Sequence, residues 1–257
     1  MFNFSLPAAE LRVLPDLTAL NRSVVHEFTR AALDAVTARG RFAVALAGGS
    51  TPRAMYELLA VGRRHGHPKL PWSRLHFFFG DERAVPPDHP ESNFRMASEA
   101  LLAHVPVPAA NVHRIHAELE PARAAEDYEA DLRRFFALSL HGLPRFDLIL
   151  LGLGADGHTA SLFAGSPALR ETRRLVTAHP ASQSRAARLT LTLPVLNAAA
   201  EVLFVVSGAD KAPVVRAVLH GPARRPALPA QRVRPDKGRL LWLLDEAAAS
   251  GLTARAG

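Results

Sequence analysis

The chain has 257 residues, 48% hydrophobic and 21% charged, the make-up of a soluble globular protein long enough to bury a full core. It holds no cysteine, which excludes disulfides, thiolate metal sites and cysteine nucleophiles and is compatible with a cytoplasmic location. The formal charge of +7 comes almost wholly from arginine, and no zinc finger, recognition helix or aromatic-interleaved basic strand accompanies it, so nucleic acid is not the expected partner.

The opening residues, MFNFSLPAAELRVL, lack a basic segment followed by a long apolar run, so no signal peptide is expected. No apolar run reaches the roughly 18–20 residues that span a bilayer. Leu11–Val13 reads as a short edge strand. From Pro15 to Arg39 the spacing of Leu17, Leu20, Val24, Val25, Phe28, Ala32, Leu33 and Val36 is that of an amphipathic helix, closed by Gly40. Arg41–Ala47 is a buried strand, and Gly48-Gly49-Ser50-Thr51-Pro52 turns it into a helix expected to run to about Gly66, with Pro52 suited to the first turn.

Leu75–Phe79 is a second buried strand and leads directly into Gly80-Asp81-Glu82-Arg83. Asn93–Ala103 is expected to be helical, Asn111–Ile115 a weak strand, and Ala122–Leu140 a strong amphipathic helix. Phe146–Leu151 is a third buried strand. It runs through three glycines to Asp156 and His158, where a helix is expected to begin. Arg174–Ala178 and Arg188–Leu193 alternate as half-exposed strands do. Glu201–Val206 is buried and leads through Ser207-Gly208-Ala209-Asp210-Lys211 into a helix to His220. Gly221–Lys237 is a loop, Leu240–Leu244 a last strand. The densest basic stretch, Arg216–Arg239, holds Arg224, Arg225, Arg232, Arg234 and Lys237 and is expected to be a solvated basic surface. Strands alternating with helices predict an α/β fold, a mostly parallel central sheet with helices on both faces, built as a single domain over residues 1–257.

Four polar motifs, AGGST, GDER, GLGADGH and SGADK, each follow the carboxyl end of a buried strand, the rim where open α/β sheets bind ligands. Gly48, Gly49, Ser50 and Thr51 have the parts of a phosphate cradle, namely close backbone approach, two hydroxyls and a helix N-terminus; an ordinary capped turn uses the same residues. Asp81, Glu82 and Arg83 suit sugar hydroxyls and an anion, or a local ion cluster. Lys211 adds a cation at another helix start and is one of only three lysines, with Lys69 and Lys237. Gly152-Leu-Gly154-Ala-Asp-Gly157 matches the dinucleotide pattern G-x-G-x-x-G. Its place past the midpoint, Asp156 in the pyrophosphate turn, and no convincing acid about 20 residues on all argue against that use. His158 suits a general base that takes a proton from water, since imidazole titrates near working pH, with Asp156 beside it. The competing reading is an N-cap aspartate next to a surface histidine. Zinc is not expected, because there is no H-E-x-x-H and the His65/His67 and His113/His116 pairs lie in poor ligand settings.

ALAGGSTP, FFGDERAVPPDHPESN, FDLILLGLGADGHTASLF, RLTLTLPVLN and SGADK, in this order from about Ala43 to the tail, strongly resemble the 6-phosphogluconolactonase family. The resemblance implies the fold shared by sugar-phosphate isomerases and CoA-transferase-like proteins. It also implies metal-free, cofactor-free hydrolysis of 6-phospho-D-glucono-1,5-lactone in the pentose phosphate pathway. By the same resemblance His158 is the base and Asp156 its support; Gly48, Gly49, Ser50 and Thr51 form the phosphate-side loop; Arg188 and Lys211 are cationic substrate contacts. Arg83 holds phosphate or the developing oxyanion, and Asp81 and Gly157 are counted with the substrate contacts. Ala164 departs from the proline that often follows SLF. An amino-sugar-phosphate deaminase/isomerase shares the phosphate loop and the DGH element but calls for an acid downstream of it, and Thr159–Ala164 has none. A noncatalytic sugar-phosphate sensor would be expected to lack the base. The expected partner is therefore a small phosphorylated sugar lactone, with no membrane or nucleic acid, and of oligomeric states the monomer is favoured.

Overall fold

A computed structural model describes residues 9–61, 69–181, 186–221 and 227–252. Six strands form one wholly parallel sheet in the order β1-β9-β8-β5-β2-β3: β1 Glu10–Leu14, β2 Phe42–Leu46, β3 Leu75–Phe79, β5 Leu148–Leu151, β8 Glu201–Val206 and β9 Arg239–Asp245. Every residue of β2 and β5 is buried, which requires cover on both faces and explains why these strands read as unbroken apolar runs. Phe204 and Trp242, partners in register on β8 and β9, stack with ring centroids 3.8 Å apart inside the core. A second, antiparallel sheet joins β4 (Asp81–Arg83), β7 (Arg188–Leu191) and β6 (Val176–His179) in the order β4-β7-β6.

The chain order across the large sheet explains where a site can form. From β2 the chain moves outward to β3, then returns to the other side of β2 as β5 and proceeds away through β8 and β9. The switch point therefore lies between β2 and β5, and the loops leaving their carboxyl ends diverge to leave a crevice. Those two loops are GGST and GLGADGH.

The helices follow the sequence where local signals are strong. Helix α1, Leu17–Arg39, starts at Asp16, whose carboxylate accepts the Ala19 N–H at 2.7 Å, and ends at Gly40 in the left-handed region at φ 74°. Helix α2 covers Ser50–Ala60, and the expected end near Gly66 lies outside the described residues. Helix α3 is Asn93–Ala100, followed by a 3₁₀ turn at Leu102–His104. Helix α4 runs over Pro121–Phe135 and stops five residues short of the expected Leu140. The chain folds back there: Ala137 takes a left-handed φ of 50°, and the Arg133 guanidinium binds the carbonyls of Ser139 and Leu140 at 3.3 and 3.1 Å. Short helices α5 (Leu193–Ala198), α6 (Ala212–Leu219) and α7 (Glu246–Ala249) complete the chain.

Other expectations need correction. Asn111–Ile115 is not a strand. It begins in a 3₁₀ turn at Ala109–Asn111 and touches the edge of β3 through one parallel bridge, Phe77 to Val112. No helix begins at Asp156 and His158, where the chain makes tight turns instead. The GDER segment is strand β4, and its neighbour Gly80 carries the chain from one sheet to the other, with its N–H on Leu46 O and its carbonyl on Leu191 N, both at 2.9 Å. The basic stretch is only partly a solvated surface. Arg232 and Arg234 bond the carbonyls of Leu169 and Gln231, Arg239 joins an ion network, and Arg224 and Arg225 lie outside the described residues.

Candidate active site

Gly48, Gly49, Ser50, Thr51, Asp81, Arg83, His158, Arg188 and Lys211 line one cleft at the carboxyl ends of the parallel strands. Asp156 and Gly157 do not line it. Gly157 holds its turn with φ 80°, its carbonyl accepts the Ala230 N–H at 3.1 Å, and a Cβ there would crowd Leu228 at 3.1 Å. Its visible role in the site is conformational: it sets the turn that presents His158.

His158 is held from both sides. Its carbonyl accepts the Gly154 N–H at 2.9 Å, and its own N–H donates to Asp156 Oδ1 at 3.2 Å. The ring's Nδ1 meets the same carboxylate oxygen. An ionised carboxylate only accepts, so Nδ1 carries a proton, and in the neutral imidazole the lone pair is on Nε2. Burial pushes the Asp156 carboxyl up, but the bonds from the His158 ring and backbone outweigh it and leave Asp156 below the usual carboxylate range. The carboxylate is therefore ionised at neutral pH and fixes the tautomer that a base needs. Phe163 packs against the imidazole with centroids 4.5 Å apart.

Groups suited to an anion share the cleft with this imidazole. Helix α2 begins at Gly49, which has φ 105° and no side chain to cap the first turn, so the turn's N–H groups remain available at the cleft. Arg83 and Arg188 are directly opposite each other across β4 and β7. Like charges in that relation repel, and an anion between them removes the penalty. Arg83 Nη1 donates to the Glu91 carbonyl, while its buried Nε has no hydrogen-bond partner among the described residues. Lys211 follows β8, with Nζ 3.5 Å from Asp210 Oδ2. Its turn is set by Gly208 at φ 101°, whose N–H reaches both oxygens of Asp245 at 3.1 Å. Along the rim from β8 to β3 the cleft thus presents a cation, an imidazole, an uncapped helix N-terminus and a pair of guanidiniums.

Glu82 does none of this. It is buried and accepts from Asn93 N at 2.7 Å, Phe94 N at 2.8 Å, Ser92 Oγ at 3.0 Å and Arg83 N at 2.9 Å, so it anchors the start of α3. Several contributors were not assigned from sequence. Asn93 lines the cleft, and its amide fills the space a Gly48 Cβ would occupy, 2.0 Å from Oδ1. Ser161 and Thr190 lie buried behind it. The motifs containing Asn93 and Ser161 are visible in the sequence, but pairings across 45 or 80 residues are not.

Among the described residues no three His, Asp or Glu side chains gather as a metal site. His113 and His116 are each paired with their own carboxylate, Asp131 and Asp127, at 2.7 Å, and His65 and His67 lie outside the described residues.

Residues 15–242 match the family model for glucosamine-6-phosphate isomerases/6-phosphogluconolactonase. A 6-phosphogluconolactonase of Nostoc sp. is 44% identical over 95% of this chain and 98% of its own length. The human 6-phosphogluconolactonase is 44% identical over 87% and 86%. Among solved structures, a 6-phosphogluconolactonase from Thermotoga maritima superposes with a TM-score of 0.78 at 33% identity, covering 93% of this chain and all of that one.

Proposed function

The chain belongs to the family of glucosamine-6-phosphate isomerases and 6-phosphogluconolactonases, and on that premise we propose that it hydrolyses 6-phospho-D-glucono-1,5-lactone to 6-phospho-D-gluconate in the oxidative branch of the pentose phosphate pathway, with His158 as the base. The observation that carries the assignment of the base is the His158–Asp156 pair, which keeps Nδ1 protonated and Nε2 basic in a cleft lined by cations.

The phosphate dianion belongs at the first turn of α2 with Arg83 and Arg188, where backbone N–H groups and two guanidiniums converge, while Lys211 supplies a further positive charge. With the phosphate held, His158 Nε2 removes a proton from water as the oxygen attacks the lactone C1 carbonyl. The resulting oxyanion collapses with cleavage of the bond to the ring oxygen, which takes the proton back from the imidazolium. Asp156 stabilises the imidazolium while it exists. Water is the only co-substrate this step consumes, and the residues named here carry it without a metal or organic cofactor. The chain is read as one cytoplasmic domain; no helix among the described residues is long and apolar enough to cross a membrane.

Deaminase/isomerase chemistry is disfavoured because Thr159–Ala164 contributes no acid and Phe163 packs on the imidazole instead. A coupled assay decides between them: the purified protein is expected to accelerate opening of 6-phosphogluconolactone and to leave glucosamine 6-phosphate unchanged. The reverse pattern refutes the assignment.

A further inference from the structure

We propose that Asp81 is a positioning residue that acts through Ser161 to fix the spacing between the loop carrying His158 and the wall carrying Arg83 and Arg188. The proposal rests on His158 being the base of the reaction above.

Asp81 is the first residue of β4 and is 8% exposed. Both of its carboxylate oxygens are engaged by protein. Oδ2 accepts from Ser161 Oγ at 2.6 Å, and Oδ1 from Asn93 Nδ2 at 3.2 Å. Asn93 Nδ2 also donates to the Asp81 carbonyl at 2.9 Å, and its amide stands against Gly48 of the phosphate-side loop. One carboxylate thus joins the two loops of the switch-point crevice to the strand that carries Arg83.

Ser161 is fully buried and absent from the cleft lining, so its hydroxyl acts on the reaction only through what it holds. It lies three residues after His158. Its N–H donates to Thr190 Oγ1 at 3.2 Å, and Thr190 is the register partner of Asp81 across β4 and β7. Two other anchors return to the end of β5, Gly154 N to His158 O and Thr159 Oγ1 to Gly152 O at 2.9 Å, and the Gly157 carbonyl ties the turn to Ala230 N at 3.1 Å. The Ser161 bonds carry the loop across to the cationic wall. Ala160, between Thr159 and Ser161, has a left-handed φ of 47°, a conformation a non-glycine residue keeps only when its surroundings impose it. The pinned residues on either side impose it.

A substrate tethered by its phosphate at one wall must present its carbonyl to His158 at the other, and misplacement by about 1 Å can cost on the order of 10²-fold in rate. Deleting the Ser161 hydroxyl removes a buried, charge-assisted hydrogen bond and leaves the Asp81 oxygen without its donor.

The test is steady-state kinetics of wild type, Ser161→Ala, Asp81→Asn, the double variant and His158→Asn on 6-phosphogluconolactone, with melting temperature and calorimetric 6-phosphogluconate affinity for each. Ser161→Ala is expected to lower kcat about 10- to 100-fold while KM and product affinity stay within about threefold. The double variant is expected to be no slower than the slower single variant, as for two partners of one bond. If Ser161→Ala melts below the assay temperature, Ser161→Cys replaces it with a smaller expected loss of the same pattern, because a thiol is a weak donor. A Ser161→Ala kcat within about twofold of wild type, a raised KM at unchanged kcat, lost product binding, or losses that multiply in the double variant each overturn the proposal. An inactive wild type or an active His158→Asn overturns the underlying reading as well; an active wild type and inactive His158→Asn with a silent Ser161→Ala overturn the positioning role alone.

Discussion

A Cβ on Gly154 would stand 2.0 Å from His158 Nδ1 and 2.8 Å from Asp156 Oδ1. The imidazole–carboxylate pair therefore lies over this glycine's backbone, and the glycine is a condition for the pair rather than for a bound dinucleotide. Gly154→Ala is expected to leave the circular dichroism spectrum unchanged and to lower kcat by about 10²-fold or more, because the ring must move by more than its working tolerance. A variant with a wild-type rate shows that the pair is not needed. The sequence made Asp156 and His158 visible as neighbours two residues apart, but one hydrogen bond and one packing contact were out of reach. One is that the carboxylate takes the ring's Nδ1; the other is that Asn93 fills the space left empty by Gly48, which depends on the fold bringing position 93 to position 48.

Strand β4 and helix α3 show what short elements owe to a buried side chain. Ser92 caps α3 by accepting the Arg95 N–H at 3.1 Å, and Glu82 accepts the N–H groups of Asn93 and Phe94 from the strand side. Burial pushes the Glu82 carboxyl up, and the hydrogen bonds from these donors offset that cost only in part. Glu82→Ala strands those donors and is expected to lower unfolding free energy by about 2–4 kcal/mol in urea titrations; a loss under 0.5 kcal/mol contradicts the anchoring role. Apolar runs such as FAVAL and the VLFVV that follows Glu201 made their strands legible, because burial on both faces leaves no polar residue in them. β4 was not legible, since DER has no strand pattern and pairs only because Gly80 turns it towards β7. The expected helix at Asp156 failed for a related reason: Ser161 bonds Thr190 and Asp81, and those two partners lie far outside the local window.

Across the whole molecule, charge and burial make stability depend on acidity. Glu27 on α1 is buried and accepts from Arg12, Arg30 and Arg239, tying the helix to β1 and β9. Burial pushes its carboxyl up, and the three guanidiniums pull it down to about 2. That contribution is present above the unfolded value near 4.5 and is lost as pH falls towards 2. His76 on β3 titrates earlier. Burial, with His113 and Arg41 nearby, pushes it down to about 4. Below about pH 6.5 the unfolded chain binds a proton that the folded chain refuses until about pH 4, so stability present above 6.5 is lost across this window. Between pH 7 and 4.5 wild type is expected to lose on the order of 1–3 kcal/mol more than His76→Phe, by urea titration at each pH; parallel losses contradict the assignment. A mostly parallel central sheet was legible from strand–helix alternation, but the strand order, and with it the switch point between β2 and β5, depends on pairings between distant segments; together they gather four motifs around His158. The most direct measurement of that base is lactone opening by His158→Asn with the spontaneous rate subtracted and 6-phosphogluconate affinity measured alongside. The expected result is a fall of about 10²- to 10⁴-fold with affinity within about threefold; a rate like that of the wild type contradicts His158 as the base.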